Sequence, residues 1–305
     1  MVWFIVRRLI WIAVVLWTVF TISFFLMRSV PGGPFDRERQ LEPEIRANIE
    51  KRYHLDEPLS SQYVRELWAA LHGDLGYNYR LSDFTVNEVI AQGFPVSAAL
   101  GVLALLFALV VGISAGMLAG SHRGSVIDVV VMGWATAGLA FPSFVVAGLL
   151  LMLFVFVWPV LPAAGWGSLE QLVLPAVCLG APYAAYIARL TRTGVLDALS
   201  QDYIRTARAK GVAESVIVLR HALPAALFPV LSFLGPAIAG IVTGSLVVET
   251  IFYVPGLGVH FIQAATQKDF TLSMGLVLLY TALLAVMNLV VDLAYRVLDP
   301  RVSLE

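Results

Sequence analysis

The chain has 305 residues, 59% hydrophobic and only 13% charged, with a mean hydropathy of +0.83. A soluble domain carries about 25% charged residues, so this composition excludes an ordinary soluble enzyme and indicates a polytopic membrane protein. One cysteine, Cys178, excludes an internal disulfide. No GxxxxGK[ST], HExxH or GxSxG pattern occurs, so any ATP used must be bound elsewhere.

In chain order, Leu9–Met27 is an uncharged run between Arg8 and Arg28, long enough to cross a hydrocarbon core of about 30 Å. It is too long for a signal-peptide core and has no small-x-small cleavage site before Pro31, so residues 1–30 are read as a retained first span, with Arg7 and Arg8 as a cytoplasmic anchor. Residues 31–94 form an extracytoplasmic insertion. It opens on the helix-breaking Pro31, Gly33 and Pro34 and is predicted to hold two amphipathic helices. The first covers roughly 43–53, with Ile45, Ile49 and Tyr53 on one face. The second covers roughly 61–72, with Val64, Leu67, Trp68 and Leu71 on one face and Gly73 as its stop.

Further spans are predicted at 95–120, 127–157, 171–188, 225–248 and 270–292. In the first of these Gly112, Gly116 and Gly120 recur every four residues, a smooth ridge for close helix packing. The length of 127–157, with Pro142 inside it, predicts a tilt or kink before an interfacial aromatic turn at Trp158–Trp166. Residues 249–269 are semi-polar, with a PGLG corner and the character of a segment partly re-entering the membrane, and 299–305 form a cytoplasmic tail. Placing the N-terminus inside puts eleven basic residues in the cytoplasm and leaves Lys268 alone in the short outer loops, so both termini are expected inside. The fold class expected is all-α, polytopic, with six spans.

The longest cationic insertion between spans is QDYIRTARAKGVAESVIVLRHALPAALFP, residues 201–229. Residues 202–210 favour a helix, Gly211 stands where a left-handed C′ residue belongs, and Ala213–Ala222 can form a second helix before Pro224. The bland alternative is a positive-inside loop with incidental helix propensity. The functional reading is an ordered element gripped by a soluble partner. Ile204, Ala207 and Val212 would be its apolar contacts, and Arg205 and Arg208 its rim charges.

These residues resemble the loop of ABC importer permeases of the peptide and nickel branch. Tyr203-Ile204-Arg205-Thr206-Ala207-Arg208-Ala209-Lys210-Gly211 and Arg220-His221-Ala222-Leu223 carry the match. It extends through ISFFLMR and PGGPF (22–35), YHLDEP (53–58), FPVSAALG (94–101), PSFVV (142–146), GPAIAGIVTGSLVVETIF (235–252), PGLG and the final DPR. Arg205-Thr206-Ala207 stands where many relatives have Glu-Ala-Ala, so a contact made by that glutamate does not carry over.

The resemblance implies a type I importer fold in the bacterial inner membrane, with 95–298 as the transmembrane domain and 194–224 as its cytoplasmic coupling loop. Within that loop Tyr203, Ile204, Arg205, Thr206, Ala207, Arg208, Lys210 and Gly211 are the coupling residues. It also implies a homologous second permease, two ATPase subunits that hold ATP and Mg, an extracytoplasmic peptide-binding protein and a peptide cargo crossing among membrane lipid, with no nucleic acid partner. No catalytic or metal-binding residue and no cofactor is expected in this chain. Oligopeptides are the expected cargo, with dipeptides, nickel or another substrate of the branch as alternatives.

For the passage, Ser143, Gly240, Thr243, Gly244, Ser245, Asn288 and Asp292 are the candidate lining or packing residues, and helix–helix hydrogen bonding explains the polar ones equally well. Asp128, Glu249 and Asp292 sit near predicted span ends and are read as interfacial, with Arg296 in reach of Asp292 at i,i+4. An ATP-independent secondary transporter or channel, and a scaffold or sensor without a passage, are the competing classes. Missing midplane carboxylates and a structured loop weigh against the first.

Overall fold

The computed structural model describes residues 2–30, 53–79 and 84–298, with the single positions 44, 48 and 51. The helix expected at 43–53, the 31–35 break and the 299–305 tail lie largely or wholly outside the described residues. Among the described residues the structure is helical, with one isolated antiparallel bridge between Tyr77 and Thr85. Five helices are long and apolar enough to cross a membrane, and six if a bent pair counts as one span.

In chain order the helices are α1 (Val2–Ser29), α2 (Leu59–Leu71), α3 (Val86–Ser121), α4 (Val126–Ala140) and α5 (Ser143–Leu151), the last continuing as a π-helical turn over Met152–Val157. Next come α6 (Leu169–Leu199), α7 (Asp202–Ala209), and α8, which joins Glu214–Val216, a π-helical turn at Ile217–Ala222 and Leu223–Ala226. The chain ends with α9 (Phe228–Val242), α10 (Leu246–Ile251), α11 (Leu257–Gln267) and α12 (Phe270–Leu298). The span expected at 127–157 is the bent pair: α4 and α5 meet at 112°. The cause is local. Phe141, held out of the α region by the ring of Pro142, has φ −78° and ψ 129°, and Pro142 starts the next helix.

Contacts divide the chain into two units, Met1–Pro95 with Val259–Ala285, and Val96–Gly258 with Val286–Glu305. In the first, Phe20 and Phe24 of α1 are buried with Met274 of α12, and Tyr63 of α2 packs edge-on to Phe24 at 5.3 Å. Arg28 closes this cluster. Its guanidinium stacks 3.7 Å over Phe24, donates to Gln62 Oε1 at 3.1 Å and pairs with Glu66. Burial pushes the Glu66 carboxyl above its ordinary range, against the pull of Arg28. The Asp269 carboxylate accepts from Tyr79 N–H at 2.9 Å and caps α12 through Leu272 N–H at 3.0 Å, while burial drives the Tyr79 phenol up to about 12. On α2, Leu67 turns inward while Val64, Trp68 and Leu71 stay exposed, and Gly73 ends the helix with φ +79°.

In the second unit α6 is the central post, and the glycine ridge of α3 lies against it. A Cβ at Gly112 would stand 2.7 Å from the Ala184 carbonyl oxygen and one at Gly120 2.8 Å from Val195 Cβ, while one at Gly116 would collide with the Ala188 carbonyl oxygen. Only glycine permits this approach, which brings backbone against backbone and gains dispersion where lipid offers no hydrophobic drive. Elsewhere α6 packs Leu174, Cys178 and Leu179 against Leu100, Ile241 and Val248.

Candidate functional site: a polar helix corner

The polar insertion folds as α7, a corner and α8. Asp202 in the first turn and Arg208 in the last complement the helix dipole. Gly211 has φ +78°, and the corner is a Schellman closure. Gly211 N–H donates to the Arg208 carbonyl at 2.9 Å and Val212 N–H to the Ala207 carbonyl at 3.2 Å. Beneath it Ile204 and Ala207 are buried against Ile217, with Leu199 and Val212 completing the cluster.

That packing corrects one expectation. Ile204 and Ala207 face the protein's own interior, where they fix α7 to α8, and Val212 belongs to the same cluster. The outward surface is Tyr203, Arg205, Thr206, Arg208, Ala209, Lys210 and Gly211, all exposed. Helical geometry explains the division: Ile204 and Ala207 share the inner stripe, while Asp202, Arg205, Thr206 and Ala209 lie on the opposite one, and the turn at Gly211 folds Val212 back under the helix.

The two arginines differ. Arg205 is 77% exposed at the side chain and makes a single 3.3 Å contact with Asp202. Arg208 forks onto Glu214 at 2.6 and 3.1 Å, bracing the corner across Gly211. Each raises the other's charged fraction: the hydrogen bond with Glu214 holds the Arg208 guanidinium up, and that with Arg208 holds the Glu214 carboxyl below its ordinary range. The Tyr203 hydroxyl donates to the His221 carbonyl at 3.3 Å, a second brace between α7 and α8.

Both flanks run straight into the helix bundle. Gly194 of α6 sits so close to Ala226 of α8 that a Cβ there would be 2.7 Å from Ala226 Cα, and Val230 of α9 packs with Ala184 and Ile187 of α6. The corner is thus continuous with two helices that are themselves closely packed on each other, α6 and α9.

The candidate passage residues are not gathered into one polar cluster. Thr243 donates back to the Ala239 carbonyl at 2.8 Å and Ser245 caps Val248 N–H, so both are satisfied locally. Ser143 accepts from Cys178 Sγ through its carbonyl oxygen, Gly240 lies under the Tyr183 hydroxyl, and Asn288 Oδ1 lies against Gly235. Gly244 turns the chain with φ +92°. Asp292 is half-buried, and the Arg296 side chain expected to reach it is outside the described side chains.

Two carboxylates read as interfacial are instead buried. Asp128 pairs with Arg192, and Glu249 is fully enclosed with Ser97. A lone glutamate flanked at a distance by Gly244, Gly256 and Gly258 was the available signal. Its partner 152 positions away in sequence was not.

Family models for the binding-protein-dependent transport system match this chain twice. The N-terminal membrane component matches residues 1–101 and the inner membrane component residues 112–304. The chain belongs to that family.

As a member of this inner-membrane transport family, it is 46% identical over 301 residues to the oligopeptide transport system permease protein OppB of Salmonella typhimurium and to that of Escherichia coli, covering 98% of each chain. It is 39% identical to the dipeptide transport system permease protein DppB of Bacillus subtilis, over 99% of this chain and 98% of that one. A solved inward-facing MetNI methionine ABC transporter superposes with a TM-score of 0.54 at 20% identity, covering 69% of this chain and 96% of that one, which marks a shared fold. The protein is thus a multi-pass inner-membrane permease of the ABC importer fold.

Proposed function

We propose that this chain is the transmembrane permease subunit of an ATP-driven oligopeptide importer and supplies half of the passage. The observation that carries the reading is its end-to-end 46% identity to oligopeptide permease proteins. ATP and Mg belong to two partner ATPase subunits, peptide delivery to an extracytoplasmic binding protein, and the other half of the passage to a homologous permease. The α7–α8 corner is the coupling element, with Tyr203, Arg205, Thr206, Arg208, Lys210 and Gly211 presented to the ATPase and Ile204 and Ala207 holding the corner rigid. Closure of the ATPases on ATP moves the corner, and with it α6 and α9, exchanging inward and outward openings.

Reconstitution with the cognate partners tests the proposal. Peptide-stimulated ATP hydrolysis and peptide uptake are expected together, with longer oligopeptides outcompeting dipeptides and nickel. Cysteines replacing Arg205 and Ala209 are expected to crosslink to an ATPase subunit with a nucleotide-dependent yield, and one replacing the buried Ile204 is not. Uptake without any ATPase subunit would overturn the reading.

A further inference from the structure

Glu249 is a fully buried carboxyl group in the first turn of α10, toward the opposite end of the fifth span from the α7–α8 corner. A carboxylate at such depth carries a heavy desolvation cost and persists only where its oxygens are saturated. Here they are. The Ser97 hydroxyl donates to Oε1 at 2.8 Å, and the Gly258 amide N–H donates to Oε2 at 2.7 Å. Ser97 Oγ in turn accepts from Leu257 N–H at 2.8 Å, so both leading amides of α11 are tied, one directly and one through Ser97. The Oε2 acceptor sits where the dipole of α11 is positive.

The surroundings are shaped to the group. Gly244, Gly256 and Gly258 all turn their bare α-carbons to it. A Cβ at Gly256 would lie 2.6 Å from Glu249 Cδ and one at Gly258 2.9 Å from Oε2, while one at Gly244 would overlap Oε1. The Val254 N–H to Glu249 carbonyl bond, 2.8 Å, folds the intervening turn back on the same residue. Three glycines, one hydroxyl and one amide converge on this side chain, with a second amide tied through the hydroxyl. Sequence neighbours of Ser97 and Gly258 are also the points where the chain leaves this compact unit.

We propose that Glu249 is a positioning residue of transport: it clamps α3 at Ser97, and the PGLG corner with it, to the far end of the α9–α10 span, so that movement of that span is delivered to the corner opposite the ATPase side. The inference rests on the importer reading above. The clamp works by hydrogen-bond geometry, so a side chain that keeps an acceptor at the same reach retains part of it, and a truncated one does not.

Two readouts test it, one of which needs no partner. In the full-length chain in lipid nanodiscs, hydrogen exchange of the Leu257 and Gly258 amides is expected to be faster in Glu249→Ala than in wild type, with Glu249→Gln between them. In the assembled transporter, Glu249→Ala is expected to keep basal ATP hydrolysis while uptake of a labelled alanine tripeptide falls at least about tenfold, the scale of leaving buried donors unpaired. Glu249→Gln is expected to recover much of that uptake, and Glu249→Asp, one methylene short, is not. Should Glu249→Ala fail to assemble, Ser97→Ala carries the same comparison. The clamp is overturned by unchanged exchange, by unchanged uptake per assembled complex, or by uptake and basal hydrolysis falling together. Absence of peptide-stimulated turnover in the wild type would instead sink the importer reading while leaving the exchange result to judge the clamp.

Discussion

Arg192 of α6 grips Asp128 at the start of α4 with both arms of its guanidinium, Nε to Oδ1 at 2.6 Å and Nη2 to Oδ2 at 2.8 Å. The same carboxylate accepts from Gly124 N–H at 3.0 Å, so one pair fixes the turn between α3 and α4 to the central post. The Asp128 side chain is 6% exposed and that of Arg192 27%. Replacing Asp128 with Ala strands a largely enclosed cation. The expected loss is about 2–3 kcal/mol, below the full range for deeply buried pairs because Arg192 keeps some contact with solvent. Thermal unfolding in detergent measures it, and the double replacement Asp128→Asn with Arg192→Met is expected to recover more than half.

The glycine ridge makes a contrast between two otherwise similar substitutions. Gly116→Ala places a methyl against the backbone of α6 and is expected to cost about 1–3 kcal/mol by overpacking. Gly148→Ala meets nothing within 4 Å and is expected to shift stability by less than about 0.5 kcal/mol. Equal melting temperatures for the two variants would refute the ridge.

At Gly211 the space is open, since an added Cβ meets nothing within 4 Å, but φ is +78°. The cost of Gly211→Val is therefore backbone strain alone, about 1–2 kcal/mol, and Gly211→Asn is expected to pay much less of it because asparagine visits the left-handed region. Valine is expected to abolish peptide-stimulated ATP turnover with membrane insertion intact, and asparagine to preserve most of it.

The brace between Arg208 and Glu214 gives the corner a pH dependence. The folded Glu214 carboxyl lies below its ordinary value of 4.5, so its contribution is present above that value and fades as pH falls through the lowered one. Both side chains are well exposed, so the effect is small and screened by salt. Hydrogen exchange at Val212 and Ala213 is expected to accelerate on acidification from neutral pH to about 3 beyond the intrinsic trend, and less so in Glu214→Gln.

Much of this was legible along the chain because local physics determines it. The apolar runs marked the spans by length against the bilayer core, and the i, i+4, i+8 glycines of α3 announced a packing face. The lone Gly211 after a helix-forming stretch marked its corner, because a left-handed C′ position selects glycine whatever surrounds it. Pro142 announced a break, but not one of 112°, since proline forbids the continuing helix without choosing the new direction.

What lay beyond the sequence was every pairing across distance. Ile204 has the character of a contact residue until Ile217 and Leu199 are seen to enclose it. Asp128 and Glu249 have the positions of interfacial acids until Arg192 and Ser97 arrive from elsewhere in the chain. Helix periodicity assigns a side chain to a face, and hydropathy assigns a helix to the membrane. Whether a face meets lipid, water or a partner 152 residues away depends on how the helices pack, and only the tertiary structure decided that.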